Sequence, residues 1–221
     1  MTSSLTQPQV QKVLGKLYDD ARTNDPLHWQ RLKEQGGTPT SSPLARFQAM
    51  KDVYMPVDQE FGNLLYAFTR SSNAKTVVEF GTSFGISTIF LAAGVRDNGG
   101  GRVITTEFIP EKAERAKKNL AEAGLIEFVE FRIGDALESL KPKLAASIDL
   151  VFLDGAKDLY HPVLKLIEPQ FRPGTVVIGD NTNHTGLENF LEHVRTPNNN
   201  YVSSAIFTRS MEGAHEVAIR C

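Results

Sequence analysis

Cysteine and tryptophan are almost absent: 221 residues contain one of each, Cys221 and Trp29. With one thiol, no disulfide closes within the chain and no cysteine-rich zinc site can be assembled. A cytoplasmic address is the expectation that fits. No run approaches the roughly 20 apolar residues of a membrane span. The opening Met1-Thr2-Ser3-Ser4-Leu5-Thr6 also lacks the basic-then-apolar pattern of an export signal. Neither sign of charge is in excess, because 24 Lys plus Arg stand against 26 Asp plus Glu and the basic residues are scattered. There is thus no electrostatic footprint for nucleic acid or for an anionic membrane, and a small molecule is the expected partner. What is present, 41% hydrophobic and 23% charged residues, suffices for the buried core of one domain.

Apolar residues at Val10, Val13, Leu14, Leu17, Tyr18 and Ala21 form one stripe of an amphipathic helix, with Pro8 suited to its first turn. From Arg22 to about Leu44 this periodicity lapses, and Gly36 through Pro43 reads as an irregular connection. A second helix is expected from Val57 to Thr69. Beyond Lys75 short β-branched runs alternate with helix-period segments. The runs Thr76–Phe80, Val103–Thr106, Val129–Ile133, Ile148–Leu153 and Thr175–Ile178 are strand candidates. Helices are expected at Ser87–Val95, at Pro110–Ala123 with Gly124 ending it, and at Tyr160–Ile167. Alternation of this kind implies right-handed βαβ crossovers and a parallel sheet. A last helix near Gly186–Val194, a turn at Asn198–Asn200 and strands at Tyr201–Phe207 and Glu216–Arg220 complete the chain, the two strands suited to an antiparallel edge.

In an open α/β sheet, ligands bind beyond the carboxyl ends of the strands, which directs attention to the first strand-to-helix loop, Glu79-Phe80-Gly81-Thr82-Ser83-Phe84-Gly85-Ile86-Ser87. Gly81 and Gly85 allow a tight turn and close approach to a ligand. The second strand ends in Glu107, whose carboxylate can accept two ribose hydroxyls. A dinucleotide fingerprint needs glycine at positions 83 and 86, where Ser83 and Ile86 stand. An adenosyl cofactor without a pyrophosphate has less need of the third glycine, and Glu79 is placed to face a cationic amino-acid group.

Two further apolar strands run straight into acid, at Leu153-Asp154 and at Ile178-Gly179-Asp180-Asn181. If they are neighbours, Asp154, Asp180 and the amide oxygen of Asn181 converge as hard oxygen ligands of the kind Mg²⁺ accepts. Lys157, three residues after Asp154, can reach a group held there. It is a candidate general base, provided a dication and partial burial help strip its proton. Singly, each of these residues reads as a strand-end turn. Together they point to one chemistry.

In order and spacing, Val78 through Ser87, Glu107, Gly134-Asp135-Ala136, Phe152 through Lys157 and Gly179-Asp180-Asn181 resemble the metal-dependent, S-adenosylmethionine-using O-methyltransferases of the catechol and caffeoyl-CoA type. The resemblance covers about Ala49 to the end. It implies a single Rossmann-like α/β domain of the class I methyltransferase kind, with a mostly parallel seven-stranded sheet. Residues 75–221 would form the core and residues 1–70 a helical region covering part of the cofactor and substrate site. It implies that Glu107 holds the cofactor ribose and that Gly81, Ser83 and Ser87, with Glu79, surround its amino-acid end. Phe108, Asp135 and Ala136 would lie beside the adenosyl group, with Met55, Val57 and Asp154 also on the cofactor side. It implies Mg²⁺, or another hard divalent cation such as Mn²⁺ or Ca²⁺, on Asp154, Asp180 and Asn181. Lys157 would then deprotonate one hydroxyl of a vicinal aromatic diol.

Departures bear on the acceptor. Where the mammalian catechol enzyme walls the diol with aromatic residues and proline, this chain places Val53, Ala156 and Thr185. No counterpart of that enzyme's second-hydroxyl carboxylate stands near Ile206, and Glu212 is a loosely placed substitute. Trp29 or Tyr54 can supply an aromatic face, simple packing being the plainer reading for Trp29. His161 and His184 are expected not to ligate metal. Two other readings stay open: a binding module for S-adenosylmethionine without chemistry, and an NAD-dependent oxidoreductase, which gives the acids and Lys157 no joint role. Monomer and homodimer are both compatible with the N-terminal helices.

Overall fold

A computed structural model describes residues 3–39, 42–144, 146–209 and 213–221. The first helix, α1, does not end at Ala21 but runs Pro8–Glu34, with Pro26 inside it. Its apolar stripe stops because the second half leaves the core: between Ala21 and Leu32 no side chain is buried. Losing the stripe removes packing, not the helix's own hydrogen bonds. The expected connection begins at Gly36 and Gly37, both at positive φ, but is shorter than read, because Ser42 caps a second helix, α2 (Pro43–Ala49), through Ala45 N–H. The third helix, α3 (Gln59–Ser71), starts two residues later than expected because Asp58 is its N-cap, accepting from Phe61 N–H.

All seven expected strands form: β1 (Thr76–Phe80), β2 (Arg102–Glu107), β3 (Val129–Ile133), β4 (Ile148–Leu153), β5 (Phe171–Gly179), β6 (Tyr201–Phe207) and β7 (Ala214–Arg220). The intervening helices are α4 (Ile86–Asp97), α5 (Pro110–Glu122), α6 (Ala136–Ser139), α7 (Tyr160–Ile167) and α8 (Glu188–Arg195). The four-residue α6, absent from the sequence reading, is capped by Asp135 through Leu137 N–H. Strand order is β3-β2-β1-β4-β5-β7-β6, parallel from β3 to β5 and antiparallel across β7 and β6.

Period-two alternation explains why both sheet faces are apolar. In β4, Leu150 and Phe152 join the core beneath α1, α3 and α4, whereas Val151 and Leu153 join the core formed with α7 and α8. Strand order reverses direction between β1 and β4, so the loops leaving these strands diverge and open a crevice there. No described helix is long and apolar enough to cross a membrane.

Candidate active site

A cavity of about 970 Å³ lies at this crevice. Its floor is the loop between β1 and α4, where Gly81, Ser83 and Gly85 all have positive φ. Gly81 is obligatory for a second reason: a Cβ there would lie 2.6 Å from the carbonyl oxygen of Asp154, since the two strand ends are stitched by Asp154 N–H donating to Phe80 O at 2.8 Å. The carboxylate of Glu107 accepts Ser83 N–H at 2.8 Å and Ile109 N–H at 2.9 Å, one on each oxygen. Glu107 also lines the cavity, and a carboxylate has lone-pair capacity beyond these two hydrogen bonds. Burial raises the Glu107 pKa, which these hydrogen bonds and the Lys112 ammonium oppose.

The wall facing this loop comes from the N-terminal region. Asp25, in the exposed half of α1, accepts Tyr54 N–H at 2.8 Å and Met55 N–H at 2.9 Å. That clamp holds Met55 in a left-handed conformation over the loop. Lys112 reinforces it by donating to Val53 O, and Ser83 Oγ donates to Tyr54 O, both at 2.8 Å. Trp29 and Tyr54 line the cavity, as do Ala156, His184 and Thr185. Val53 does not: it is buried against Leu32 and Met50, behind the wall, which corrects its placement beside the acceptor. His161 is remote, beside His193, and Ile206 packs on the core; Glu212 lies outside the described residues.

Met55, Val57, Gly81, Ser83, Ser87, Glu107, Phe108, Asp135, Ala136 and Asp154 line the cavity, as do Lys157 and Asn181. Glu79 is instead fully buried behind it. Its carboxylate accepts hydroxyl hydrogens from Ser87, Thr88 and Thr105 at 2.6, 2.5 and 2.6 Å, so it reaches the cavity only through Ser87. Burial raises its pKa against those three donors.

Asp154 and Asp180 emerge from adjacent parallel strands, the condition that the sequence reading left open. Lys157 Nζ sits 3.6 Å from Asp154 Oδ1 and 3.8 Å from Asp180 Oδ2. It donates to Tyr160 Oη at 2.6 Å and Asp180 O at 3.2 Å, and Tyr160 Oη donates to that same carbonyl at 3.1 Å. Burial drives the Asp154 carboxyl well above the usual range, and the negative charge of Asp180 drives it further. Two carboxylates against one ammonium leave a net negative charge, which favours binding of a cation there. The all-oxygen donors and this charge deficit fit such an ion. Among the described residues no three His, Cys, Asp or Glu side chains gather as a metal site, and the third oxygen the sequence offered is the Asn181 amide. Asn181 is placed for that, but its Nδ2 now donates to Asp180 Oδ2 and its Oδ1 faces Gly213. Exchanging the two amide atoms by rotation would present the oxygen.

One residue at this site escaped sequence reasoning. His215, buried on β7, stacks on Phe61 with ring centroids 3.7 Å apart and brings Nδ1 to 2.9 Å from Asp180 Oδ1. Nothing in its local sequence marks it, since the contact exists only once β7 pairs with β5.

A family model described as a methyltransferase domain matches residues 78–182. Catechol O-methyltransferase B of Danio rerio is 32% identical over 211 residues, covering 92% of this chain and 78% of that protein. Catechol O-methyltransferase of Niastella koreensis is 34% identical over 150 residues, covering 65% of this chain and 66% of that one. The chain belongs to the catechol O-methyltransferase family. This makes it an enzyme of the S-adenosylmethionine-dependent O-methyltransferase class and sets aside the NAD-dependent reading. The solved O-methyltransferase of Bacillus cereus in complex with SAH superimposes with a TM-score of 0.73 at 26% identity, over 95% of this chain and 91% of that one. An O-methyltransferase of tomaymycin synthesis from Streptomyces achromogenes, in complex with SAM, gives 0.69 at 26% identity, over 94% and 89%.

Proposed function

We propose that this O-methyltransferase moves a methyl group from S-adenosylmethionine to one hydroxyl of a vicinal dihydroxy aromatic compound, with a divalent metal ion as second cofactor. The observation that carries the reading is that Asp154 and Lys157 line a cavity whose floor is the Gly81–Gly85 loop and Glu107, with the buried Asp180 3.8 Å from Lys157 Nζ.

In this reading Glu107 accepts the ribose hydroxyls, while the Gly81 backbone, Ser83 and Ser87 enclose the amino-acid end. Glu79 sets the Ser87 hydroxyl from behind. Residues 1–70 supply part of the cover through Trp29 and the segment that Asp25 clamps. Asp154, Asp180 and Asn181 would hold the divalent ion, magnesium or a similar hard cation, which would supply positive charge to anchor the diol and acidify its hydroxyls. Lys157, after releasing its own proton to solvent, acts as a neutral amine: Nζ takes the proton of the attacking hydroxyl while that oxygen bonds the sulfonium methyl in line and the carbon–sulfur bond breaks, giving a methyl ether, a neutral sulfide and the lysine ammonium. Fixing nucleophile and methyl in one enclosure recovers several kcal/mol, on the order of the positioning contributions seen in intramolecular reactions. With Ala156 and Thr185 at the wall, the acceptor space admits substituted rings.

The test is methyl transfer to a panel of catechols, caffeates and flavonoids, with Mg²⁺ or with EDTA. Monomethylated product only with metal is expected. Undiminished product in EDTA removes the metal assignment, and cofactor binding without product from any acceptor favours a binding module.

A further inference from the structure

We propose that His215 is a positioning residue for the metal site, holding Asp180 Oδ1 so that Oδ2 is presented toward Asp154 and Lys157. The inference rests on the metal reading above. In the antiparallel pairing of β5 with β7, Gly179 stands opposite Glu216, and one more step along the same register sets Asp180 opposite His215. The two oxygens of Asp180 are thereby divided. Oδ1 faces His215 Nδ1 at 2.9 Å, whereas Oδ2 faces the Asn181 amide and, at 3.8 Å, Lys157 Nζ.

Three features set His215 apart from a histidine that merely fills space. Its ring is fixed by near-parallel stacking on Phe61, with 14° between the planes. Its side chain is buried, and Asp180 is buried beside it. Nδ1 makes no formed hydrogen bond, although Asp180 Oδ1 lies only 2.9 Å away. A buried nitrogen left without a partner is destabilising. Here a modest turn of the neighbouring carboxylate would satisfy it. Carboxylates that ligate metals are commonly held by such an outer hydrogen bond, and its removal weakens metal affinity about 10- to 100-fold.

The experiment measures Mn²⁺ binding by the electron paramagnetic resonance of the free ion, which needs no turnover. The proteins compared are wild type, Asp180→Asn, His215→Phe, which keeps a ring against Phe61, and His215→Asn, whose Nδ2 can stand in for Nδ1. The expected result is tight binding by wild type, its loss in Asp180→Asn, a dissociation constant raised at least about tenfold in His215→Phe, and recovery to within about threefold in His215→Asn. Wild-type affinity in His215→Phe overturns the role of His215 while leaving the metal at Asp180. Equal weakening in His215→Phe and His215→Asn overturns it too. Indifference of Mn²⁺ binding to Asp180→Asn removes the metal reading and this inference with it. Should His215→Phe not fold, His215→Leu serves the same comparison.

Discussion

Lys157 owes its position to groups outside the reaction: the Tyr160 phenol, itself fully buried, and the main-chain carbonyl of Asp180. Its removal should therefore damage proton transfer without dismantling the cavity. Lys157→Met is expected to lower kcat by about 10²- to 10⁴-fold while leaving affinity for S-adenosylhomocysteine, measured by calorimetry, within about threefold. Turnover within tenfold of wild type would mean that another group takes the proton. Gly81 makes a different point. Any side chain there meets both a positive φ of 105° and the Asp154 carbonyl, so Gly81→Ala is expected to cost about 2 kcal/mol or more in urea unfolding. It should also weaken cofactor binding, because the floor and the acid move together. At this scale Asp154, Asp180 and Glu107 were legible as residues of this region because each stands where an apolar strand ends, and Lys157 because it follows Asp154 by three residues. Glu79 was legible as an acid but not as a buried one, since its three hydroxyl donors come from α4 and β2. His215 was not legible at all.

Elements were readable where local chemistry and tertiary environment agree. Each β-branched run became a strand because sheet burial rewards the same side chains that local preference favours. The second half of α1 was missed for the converse reason: its backbone stays helical while its side chains face away from the core. Where elements meet, Glu168 joins several of them, receiving hydrogen bonds from Lys165 on α7, His193 on α8 and Tyr201 on β6 at 2.6, 2.9 and 2.8 Å. Burial opposes ionisation, but these donors prevail and hold its pKa at about 2, below the ordinary 4.5. A depressed folded-state pKa contributes stability that is fully present above about 4.5 and is lost as pH falls toward about 2. Thermal midpoints recorded across that window should fall more steeply for wild type than for Glu168→Gln. Parallel curves would show that Glu168 does not link these elements electrostatically.

At the scale of the whole molecule, one sheet separates two cores, and the cavity draws walls from both the N-terminal helices and the carboxyl ends of the strands. Ligand binding should therefore stabilise the chain as a unit. S-adenosylhomocysteine at a hundred times its Kd is expected to raise the unfolding free energy by about 2.7 kcal/mol in a single urea transition. EDTA should leave most of that gain, because the proposed cofactor contacts lie mainly on β1, β2 and the Asp25-clamped segment. Two transitions, of which only one responds to the ligand, would show that the N-terminal helices fold apart from the sheet. Trp29, the sole tryptophan, lies in the cavity wall, so its emission should follow the same titration without any label.

Because β7 runs antiparallel to β5, it begins near the cavity and carries the chain to the opposite rim of the sheet, where the exposed Cys221 donates its main-chain N–H to Asn200 O. The chain's sole thiol thus faces away from the cavity mouth. Maleimide coupling of the unmutated protein to a sensor chip or resin would give one attachment point and one orientation, with every cavity open to the flowing solution.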